Sequence, residues 1–501
     1  MTSSPVLLLC WARGAAGSDT YAIAETRASV ARAGHGLADI VVVRNASSAA
    51  AALADHDARW VGFVDAGDEL VPGALERLWS VVDGDPTVDV VYSDEATRAP
   101  DGTLDPFYKP GWSPDRLRCQ PYVGRLTLMR RALLDDVGGV RAVGSRAVTE
   151  LDVLLRVTER ARRVEHVPTV LCVRATGGPI PALAPGDVAP ACGVVDEHLE
   201  RVGIGAESQP HATVLGLLRL EPRLAEHPLV SIVVPTGGTR RRVRGVKTSL
   251  VANCVRSVLE RSTYPHIEVV CVADPSLDVW QRRELAALGH RVRIVPFDEP
   301  FHFAHKVNVG ALAASGDVLV LLNDDTEVHA PGWLEAMLLY ALDPGVGAVG
   351  ARLLFEDDRI QHCGVVGVKG NPGHPYYGLP GDTPGHGGNA LVPGNFLAVT
   401  AACLMTRREC FETVGGLSTW FPVNYNDIDY CLKLQRAGLR VVATPDATLY
   451  HYESSSRSGD VATDELVLVG RRWGRCLRDD PFYGPNFPSG NADFVPAPLI
   501  A

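Results

Sequence analysis

The chain has 501 residues, 46% hydrophobic and 21% charged, with a formal net charge of −11. A single core stops growing near roughly 250–300 residues, so this length predicts two soluble globular domains. The acidic balance argues against nucleic acid as a partner, and no run approaches the roughly 18–20 apolar residues that span a bilayer. Eleven cysteines without a CxxC pair predict reduced thiols in the cytoplasm. Membrane contact, if there is any, is expected to be peripheral, on the inner face of the plasma membrane.

Two parts of the chain repeat each other. "RRALLDDVGGVR" begins at Arg130 and "RRECFETVGGLS" begins at Arg407, 277 residues later. The same offset pairs Asp152 with Asp429, and a register held across some forty residues indicates duplication rather than chance. We therefore predict two similar domains with a loop-like connection. The predicted divisions are residues 1–200, a linker at 201–225, a second domain at 226–485 and a tail at 486–501.

In the second half, short apolar β-branched runs alternate with helical patterns. The runs predict buried parallel strands at 229–236, 267–274, 291–297, 317–323 and 346–355. Helices are predicted at 249–262, 306–315 and 332–342. This alternation predicts an open α/β sheet with helices on both faces.

An acidic cluster follows the predicted strand at 317–323. Asn323, Asp324 and Asp325 come directly after it, so they should lie at the carboxyl edge of the sheet, where such sheets bind ligands. Unpaired buried carboxylates are costly, which favours a divalent cation, Mn²⁺ or Mg²⁺, completed by the phosphates of a nucleoside diphosphate. Helix capping is the alternative, and it is the one we favour for Thr326 and Glu327.

Two further polar sites come later in the chain. In "VNYNDIDYCLKL", Asp427 and Asp429 are two residues apart at a predicted helix start, so their side chains point in different directions. One could act as a base toward an acceptor while the other braces the helix, although capping would also explain both. His451 follows a predicted strand, and Mn²⁺ tolerates imidazole. A purely structural histidine is the alternative.

The stretches "LVSIVVPT", "LLNDDTEVHAPGWLEAM", "NDIDYCLKLQRAGLRVVATP" and "LYHYESSSR" occur in this order within residues 228–457. Together they resemble family 2 glycosyltransferases of GT-A fold, especially the bacterial rhamnosyltransferase-like enzymes of polysaccharide assembly. The resemblance and the repeat imply an α/β chain with two Rossmann-like GT-A domains in tandem, the fold of nucleotide-diphospho-sugar transferases.

The resemblance also implies residue roles. Asp325 would be a metal ligand with Asp324 as helper, His451 would complete the Mn²⁺ or Mg²⁺ site, and Asp427 would be the catalytic base. Asn426 and Asp429 would support the acceptor side. The nucleotide-sugar contacts would come from Pro235, Thr236, Asp274, Asn308, Asn323 and Asp324. Two stretches depart from the family pattern: "ADPS" at 273–276 replaces an acidic turn, and "PTGGTRRR" follows the first strand.

The expected activity is an inverting, metal-dependent transfer from a nucleoside-diphosphate sugar to a hydroxyl group. By resemblance, rhamnose is the first expectation for the sugar, and the acceptor would be a glycan, a lipid-linked glycan or another hydroxyl compound of the bacterial cell envelope. Two rival functions remain open. One is a sugar-nucleotidyltransferase, which shares the acidic α/β site, and the other is a non-catalytic sugar-binding subunit of an assembly.

The repeat tests the first domain against the same requirements. Gly67 stands at the position of Asp325, with Asp68 adjacent, and Glu150 stands at that of Asp427. With one residue of slack, Val173 stands at that of His451. A site without the metal carboxylate and the histidine should bind a metal diphosphate poorly. We therefore expect domain 1–200 to be a degenerate, non-catalytic GT-A-like domain.

Overall fold

The computed structural model describes residues 4–12, 19–175, 178, 180–452, 463–488, 490–497 and 499. The described chain is α/β, as predicted, with two large sheets formed in succession. Among the described residues, no helix is both long and apolar enough to cross a membrane.

In its described residues, the amino-terminal unit contains eight strands and seven α-helices. Its strands are β1 (Val6–Trp11), β2 (Ala38–Val43), β3 (Trp60–Asp65), β4 (Glu69–Leu70), β5 (Val90–Arg98), β6 (Leu104–Phe107), β7 (Leu128–Arg130) and β8 (Val164–Arg174). Its helices are α1 (Thr20–Ala33), α2 (Ala46–Ala54), α3 (Ala74–Gly84), α4 (Pro114–Leu117), α5 (Arg131–Asp136), α6 (Arg146–Thr158) and α7 (Val188–Val202). A hairpin, β9 (Ala206–Pro210) and β10 (Leu218–Pro222), follows.

The carboxy-terminal unit begins with β11. Its strands are β11 (Val230–Thr236), β12 (Arg240–Val243), β13 (Val246–Ser249), β14 (Ile267–Ala273), β15 (Val292–Pro296), β16 (Val318–Leu322), β17 (Thr326–Val328), β18 (Val346–Leu354), β19 (Ile360–His362), β20 (Val366–Val368), β21 (Asn371–Gly373), β22 (Gly394–Asn395), β23 (Cys403–Arg407) and β24 (Arg440–His451). Its helices are α8 (Leu250–Arg261), α9 (Val279–Ala287), α10 (Phe303–Ala313), α11 (Trp333–Ala341), α12 (Arg408–Thr413), α13 (Asn426–Arg436) and α14 (Thr463–Arg478).

The two sheets share one topology. The first has the order β2-β1-β3-β7-β5-β8-β4, and the second has the order β15-β14-β11-β16-β23-β18-β24-β17. Apart from β15, the strands correspond one to one. Strands β2, β1 and β3 are parallel to one another, as are β14, β11 and β16. The next strand in each sheet, β7 or β23, is antiparallel to its neighbour β3 or β16. The last pair in each sheet, β8 with β4 or β24 with β17, is also antiparallel. This agreement supports the duplication predicted from the repeat.

Buried apolar strands build both sheets. All six residues of β1 and all five of β16 are buried, because helices cover both faces of a sheet of this kind. The five strands predicted in the second half are all present within about a residue of their observed bounds. Helices α8, α10 and α11 occupy the predicted helical segments.

Two local predictions were wrong. Residues 201–225 are not a loop, since β9 and β10 form an antiparallel hairpin whose Leu218 and Leu220 are buried in the core. Thr326 and Glu327 do not cap a helix; they lie in β17, which pairs with β24. In the described part of the predicted tail, Phe487 and Phe494 pack against the fold and are only 6% and 5% exposed.

Polar side chains connect the two units. The carboxylate of Asp115, which is fully buried, accepts hydrogen bonds from Asn395 Nδ2 at 2.8 Å and from Arg440 Nε at 3.1 Å. On the linker hairpin, Arg219 forms an ion pair with Asp446 at 2.9 Å. These contacts, two of them to the fully buried carboxylate of Asp115, hold the second sheet against the first unit.

Candidate functional site

The predicted acidic loop lies at the carboxyl edge of the second sheet. β11 and β16 are parallel neighbours, so Thr236 at the end of β11 lies beside the loop 323–325 that follows β16. Thr236 Oγ1 donates a hydrogen bond to Asp324 Oδ2 at 2.6 Å. The placement predicted for these side chains is therefore observed.

Asp325 and His451 form the centre of this site. Asp325 Oδ1 is 3.1 Å from His451 Nε2, and both residues are 8% exposed. The pair is brought together by the antiparallel pairing of β17 with β24, in which Thr326 is opposite His451. The metal-binding pair expected from sequence is thus assembled by strand register.

Gln361 orients the imidazole of His451. Gln361 Oε1 is 2.6 Å from His451 Nδ1 and can only accept, so Nδ1 carries a proton. In neutral histidine Nε2 is then an acceptor, and Asn323 Nδ2 lies 3.3 Å from it. A carboxylate oxygen 3.1 Å from an acceptor nitrogen requires a shared cation or a proton on Nε2. Second ring nitrogens held in this way are typical of metal-ligating histidines.

The two adjacent carboxyl groups of the loop have different protonation preferences. Burial, and secondly the neighbouring Asp325, raises the pKa of Asp324 to about 7. Burial also opposes ionisation of Asp325, but the charge of His451 and its hydrogen bond outweigh it and lower the pKa of Asp325. Of the two groups, Asp325 is therefore the one that favours the carboxylate form.

The donor set fits a divalent metal only in part. Within the part of the chain that the structure describes, no group of three or more His, Cys, Asp and Glu side chains could hold a metal ion. The protein offers one carboxylate oxygen and one imidazole nitrogen, from Asp325 and His451. Mg²⁺ and Mn²⁺ accept such incomplete sets when substrate phosphates supply further ligands.

Asp427 lies in the first turn of α13 and is partly exposed. Its Oδ2 accepts a hydrogen bond from the main-chain N–H of Ala401 at 3.1 Å. The next residue, Ala402, accepts a hydrogen bond through its carbonyl from Asn323 N–H at 3.1 Å. Two consecutive residues therefore tie the predicted base to the acidic loop.

Asp429 and Asn426 have other partners. Asp429 is fully buried, accepts from Trp473 Nε1 at 2.8 Å and is 2.9 Å from Arg472 Nε, which fastens α14 to α13. Asn426 Nδ2 donates to the carbonyl of Val423 at 2.9 Å. Both residues brace the segment that carries Asp427, and their contact with an acceptor stays a prediction.

The remaining predicted nucleotide residues surround the end of β11. Asp274 forms an ion pair with Lys306 Nζ at 2.8 Å, and Nζ also donates to the carbonyl of Thr236 at 2.8 Å. Pro235 is buried in β11 next to these residues. Asn308 lies on α10, but its amide exchanges two hydrogen bonds with the main chain of Leu417, at 2.8 and 2.9 Å. Its nucleotide contact stays a prediction.

Sequence reasoning missed two residues of this site. Lys306 is fully buried in α10, and a lone lysine on an apolar helix next to the predicted sheet edge was the available signal. Gln361, on β19, carried no comparable signal, because its partner His451 is 90 residues away in the sequence. Each of them contacts a predicted residue: Lys306 contacts Asp274, and Gln361 contacts His451.

The counterpart region of the first unit is closed by arginines. Arg125 lies 3.0 Å from Asp65, 3.2 Å from Asp68 and 3.1 Å from Glu150. Arg146 lies 2.7 Å from Asp65 and 2.8 Å from Glu150. The three carboxylates at this strand end are thus each paired with an arginine of the protein itself. In the repeat register, the second unit has Ala402 at the position of Arg125 and Val423 at the position of Arg146.

The strand register of the first unit corrects the predicted counterpart of the histidine. Glu69 pairs with Val173 in the β4–β8 ladder as Glu327 pairs with Tyr450 in the β17–β24 ladder, so Val173 corresponds to Tyr450. The position of His451 is occupied by Arg174, which lies 277 residues earlier, and the first unit therefore has a guanidinium where the second has an imidazole. Gly67, in the preceding loop, has φ +97 and provides no side chain at all.

The carboxyl edge of the second sheet thus carries an acidic loop, an oriented histidine and a helix-borne aspartate. Residues 231–414 match the family model "Glycosyl transferase family 2". The chain thus carries a domain of glycosyltransferase family 2, and the predicted family is confirmed.

Two curated relatives align over most of the chain. "Uncharacterized protein y4gI" of Sinorhizobium fredii (strain NBRC 101917 / NGR234) is 35% identical over 462 residues, which is 87% of this chain and 49% of the relative. "O-antigen biosynthesis protein RfbC" of Myxococcus xanthus is 35% identical over 443 residues, 85% of this chain and 34% of the relative. The chain spans about half or less of the length of these relatives.

Solved structures also match about half of the chain. GalNAc-T7 with UDP, GalNAc and Mn²⁺ has a TM-score of 0.40 and 14% identity, over 51% of this chain and 50% of that one. The mannosyltransferase PcManGT of Pyrobaculum calidifontis, in complex with GDP-Man and Mn²⁺, has a TM-score of 0.33 and 18% identity, over 51% and 64%.

Proposed function

We propose that the second unit is an inverting, metal-dependent glycosyltransferase that moves a sugar from a nucleoside-diphosphate donor to a hydroxyl group. The observation that carries the proposal is the connection between Asp325 and Asp427. The consecutive residues Ala401 and Ala402 hold Asp427 and the loop before Asp325 through one hydrogen bond each, both 3.1 Å long. Transfer with inversion needs a base for the acceptor and neutralisation of the leaving group at one place.

In this proposal each residue has a limited task. Asp427 takes the proton of the acceptor hydroxyl as that oxygen attacks the anomeric carbon. Asp325 and His451 would hold Mn²⁺ or Mg²⁺, which when bound neutralises negative charge on the donor diphosphate. Gln361 keeps Nδ1 of His451 protonated, so that Nε2 is the nitrogen available to a cation.

We further propose that the first unit is a non-catalytic GT-A-like domain. The ion pairs of Arg125 and Arg146 support this, because they neutralise the acidic groups that a metal diphosphate would otherwise use. Glu150, the counterpart of the base, is engaged by both arginines, at 3.1 and 2.8 Å. The contacts of the first unit with the second, such as those of the buried Asp115 with Asn395 and Arg440, support a scaffolding role.

For the biological role we propose polysaccharide or cell-envelope assembly in the bacterial cytoplasm, at the inner membrane face if the acceptor is lipid-linked. The name of the Myxococcus xanthus relative supports assembly of a surface polysaccharide. Rhamnose remains our first candidate for the sugar on the sequence resemblance alone. The family match favours this transfer over sugar-nucleotidyl transfer.

The test is a panel of nucleotide sugars with Mn²⁺, in which release of nucleoside diphosphate and of pyrophosphate is measured separately. We expect nucleoside diphosphate, and a loss of about 10²- to 10⁴-fold in turnover for Asp427→Asn with donor binding retained. Asp325→Asn should abolish Mn²⁺-dependent donor binding. Pyrophosphate as the product would refute the proposal, as would full activity in both variants.

The first unit is tested by Glu150→Gln, which removes the counterpart of the base. Unchanged transfer by this variant is expected. Complete loss of transfer, with the thermal unfolding temperature preserved, would contradict a non-catalytic first unit.

A further inference from the structure

A basic hairpin follows the first strand of the second unit. β12 and β13 pair antiparallel, with Arg240 opposite Ser249 and Val243 opposite Val246. The segment carries four arginines and one lysine between residues 240 and 247. It begins four residues after Thr236, whose hydroxyl binds Asp324. The hairpin thus arises at the mouth of the candidate site.

The hairpin is fastened to the sheet beside the site. Val243 packs with Leu250 and Tyr452 in a small buried cluster. Arg244 lies 3.1 Å from Glu327, a residue of β17 that is 3% exposed. The main-chain N–H of Arg244 also donates to Glu356 at 2.7 Å. These contacts on both sides of the turn give the hairpin a defined position.

The arginines of the hairpin have different neighbours. Arg240 pairs with Asp278 at 3.0 Å, where both side chains are well exposed, and Arg242 Nη1 donates to the carbonyl of Gly245 within the hairpin at 2.8 Å. Arg241 instead donates to the carbonyl of Tyr452 at 2.6 Å. Arg241 is therefore the arginine whose main-chain contact lies at the end of β24.

That contact places Arg241 next to the proposed metal ligands. Tyr452 follows His451 directly, and its N–H donates to the carbonyl of Asp325 at 2.9 Å. Arg241 keeps 36% of its side chain exposed, and its pair with the equally exposed Glu356 is long, at 3.8 Å. A pair of this kind is weak and can yield to a better anion.

We propose that Arg241 binds the diphosphate of the donor, on the side of the site formed by the β12–β13 hairpin. This inference rests on the proposed glycosyltransferase function and adds one donor-binding residue to it. A guanidinium forms two parallel hydrogen bonds with phosphate oxygens, which suits a leaving group whose negative charge increases during transfer. The expected ligand is a nucleoside diphosphate, and Arg241 would contact its outer phosphate.

The experiment measures nucleotide binding to the full chain by titration calorimetry with Mn²⁺. UDP, GDP and dTDP are compared first, and the tightest is then compared with its monophosphate. Arg241→Gln should weaken diphosphate binding by about 10- to 100-fold, the usual range for a hydrogen bond to a charged group, and monophosphate binding by less than about 3-fold. Arg241→Lys should lose less than Arg241→Gln, because it keeps the charge.

Arg242→Gln is the matched control, since Arg242 lies on the same hairpin but bonds within it. It should change both affinities by less than about 3-fold. Unchanged diphosphate binding in Arg241→Gln would overturn the inference. An equal loss of monophosphate and diphosphate binding would also overturn it, because that result would mean a displaced Tyr452 rather than a lost phosphate contact.

The variant Asp325→Asn distinguishes a failure of the proposed glycosyltransferase function from a failure of the role of Arg241. Suppose that the wild type binds a diphosphate, that Asp325→Asn abolishes this binding and that Arg241→Gln retains it. In that case only the proposed role of Arg241 is refuted. If wild type binds none of the three diphosphates, the proposed function fails and this inference fails with it.

Discussion

Replacement of Arg125 by methionine tests whether the first unit closes its own acidic site. The Arg125 side chain is 9% exposed and lies 3.0 to 3.2 Å from the carboxylates of Asp65, Asp68 and Glu150. Methionine fills much of the same volume without the positive charge. The variant therefore leaves a buried acidic cluster with Arg146 as its remaining cation among these residues.

The loss can be estimated from the contacts. Removing one partner of a buried ion pair costs about 3–5 kcal/mol. Arg146 still reaches Asp65 at 2.7 Å and Glu150 at 2.8 Å, so we expect the lower end of the range, about 3 kcal/mol. For a unit of about 200 residues this corresponds to a Tm lower by about 6–12 °C.

The loss should depend on pH. Burial raises the pKa of Asp68, the positive charge of Arg125 lowers it, and the negative charge of Asp65 raises it further. Without Arg125 the pKa of Asp68 rises further above its unfolded value, so the folded variant binds that proton more tightly than the unfolded chain does. A group of this kind contributes stability at low pH and loses it as pH rises. The Tm difference from wild type should thus be larger at pH 8 than at pH 5.

The assay is thermal unfolding followed by circular dichroism, with product formation measured at 25 °C in parallel. Arg163→Met is the control, because Arg163 is 50% exposed and pairs with Glu165 on the surface. That change should cost less than about 1 kcal/mol. If Arg125→Met unfolds no earlier than the control, the arginine does not hold this region together. A variant with normal Tm but no product would instead place the first unit in the chemistry.

Three further changes test other parts of the structure. Gln361→Ala should weaken Mn²⁺ affinity about 10- to 100-fold with little change in Tm, because the imidazole of His451 is then no longer held in one orientation. The affinity is measured by titration in the presence of the nucleotide, and an unchanged affinity would refute the proposed orienting role. Gly67→Asp should create no second Mn²⁺ site and should lower Tm, since φ is +97 and an added Cβ would lie 3.0 Å from Ala175 Cβ; a second bound Mn²⁺ would contradict a closed first unit. Asp429→Asn should destabilise the chain by about 1–3 kcal/mol in chemical unfolding, because Arg472 and Trp473 lose a buried anionic partner; an unchanged denaturation midpoint would count against the bracing role.

The sheet of the second unit could be predicted because its strands are continuous apolar runs. A run such as 318–322 is buried on both faces, and its end defines where the acidic loop must lie. The repeat then carried the same topology to the first unit, where no strands were predicted directly. Local hydrophobic pattern and internal similarity were sufficient for this level of structure.

The partners of charged side chains could not be predicted in the same way. Arg125 meets Asp65 from 60 residues away and Glu150 from 25 residues away, and no local pattern links them. The hairpin β9–β10 did carry a local signal, since Leu218 and Leu220 alternate with Arg219 and Glu221, but the surrounding prolines and polar residues suggested a loop. Long-range pairing decides such features, and one sequence does not record it.

The two units meet the same electrostatic problem in opposite ways. Each sheet directs carboxylates to the end of a buried strand, where they are costly unless cations neutralise them. The first unit supplies Arg125 and Arg146 for this purpose, and the second unit has Ala402 and Val423 at those positions in the repeat. An internal cation stabilises the fold but leaves no charge for a ligand to satisfy. Because the second unit lacks those two arginines, a bound cation and a phosphate-bearing donor would neutralise its acidic loop, and this difference supports our proposal that the second unit is the catalytic one.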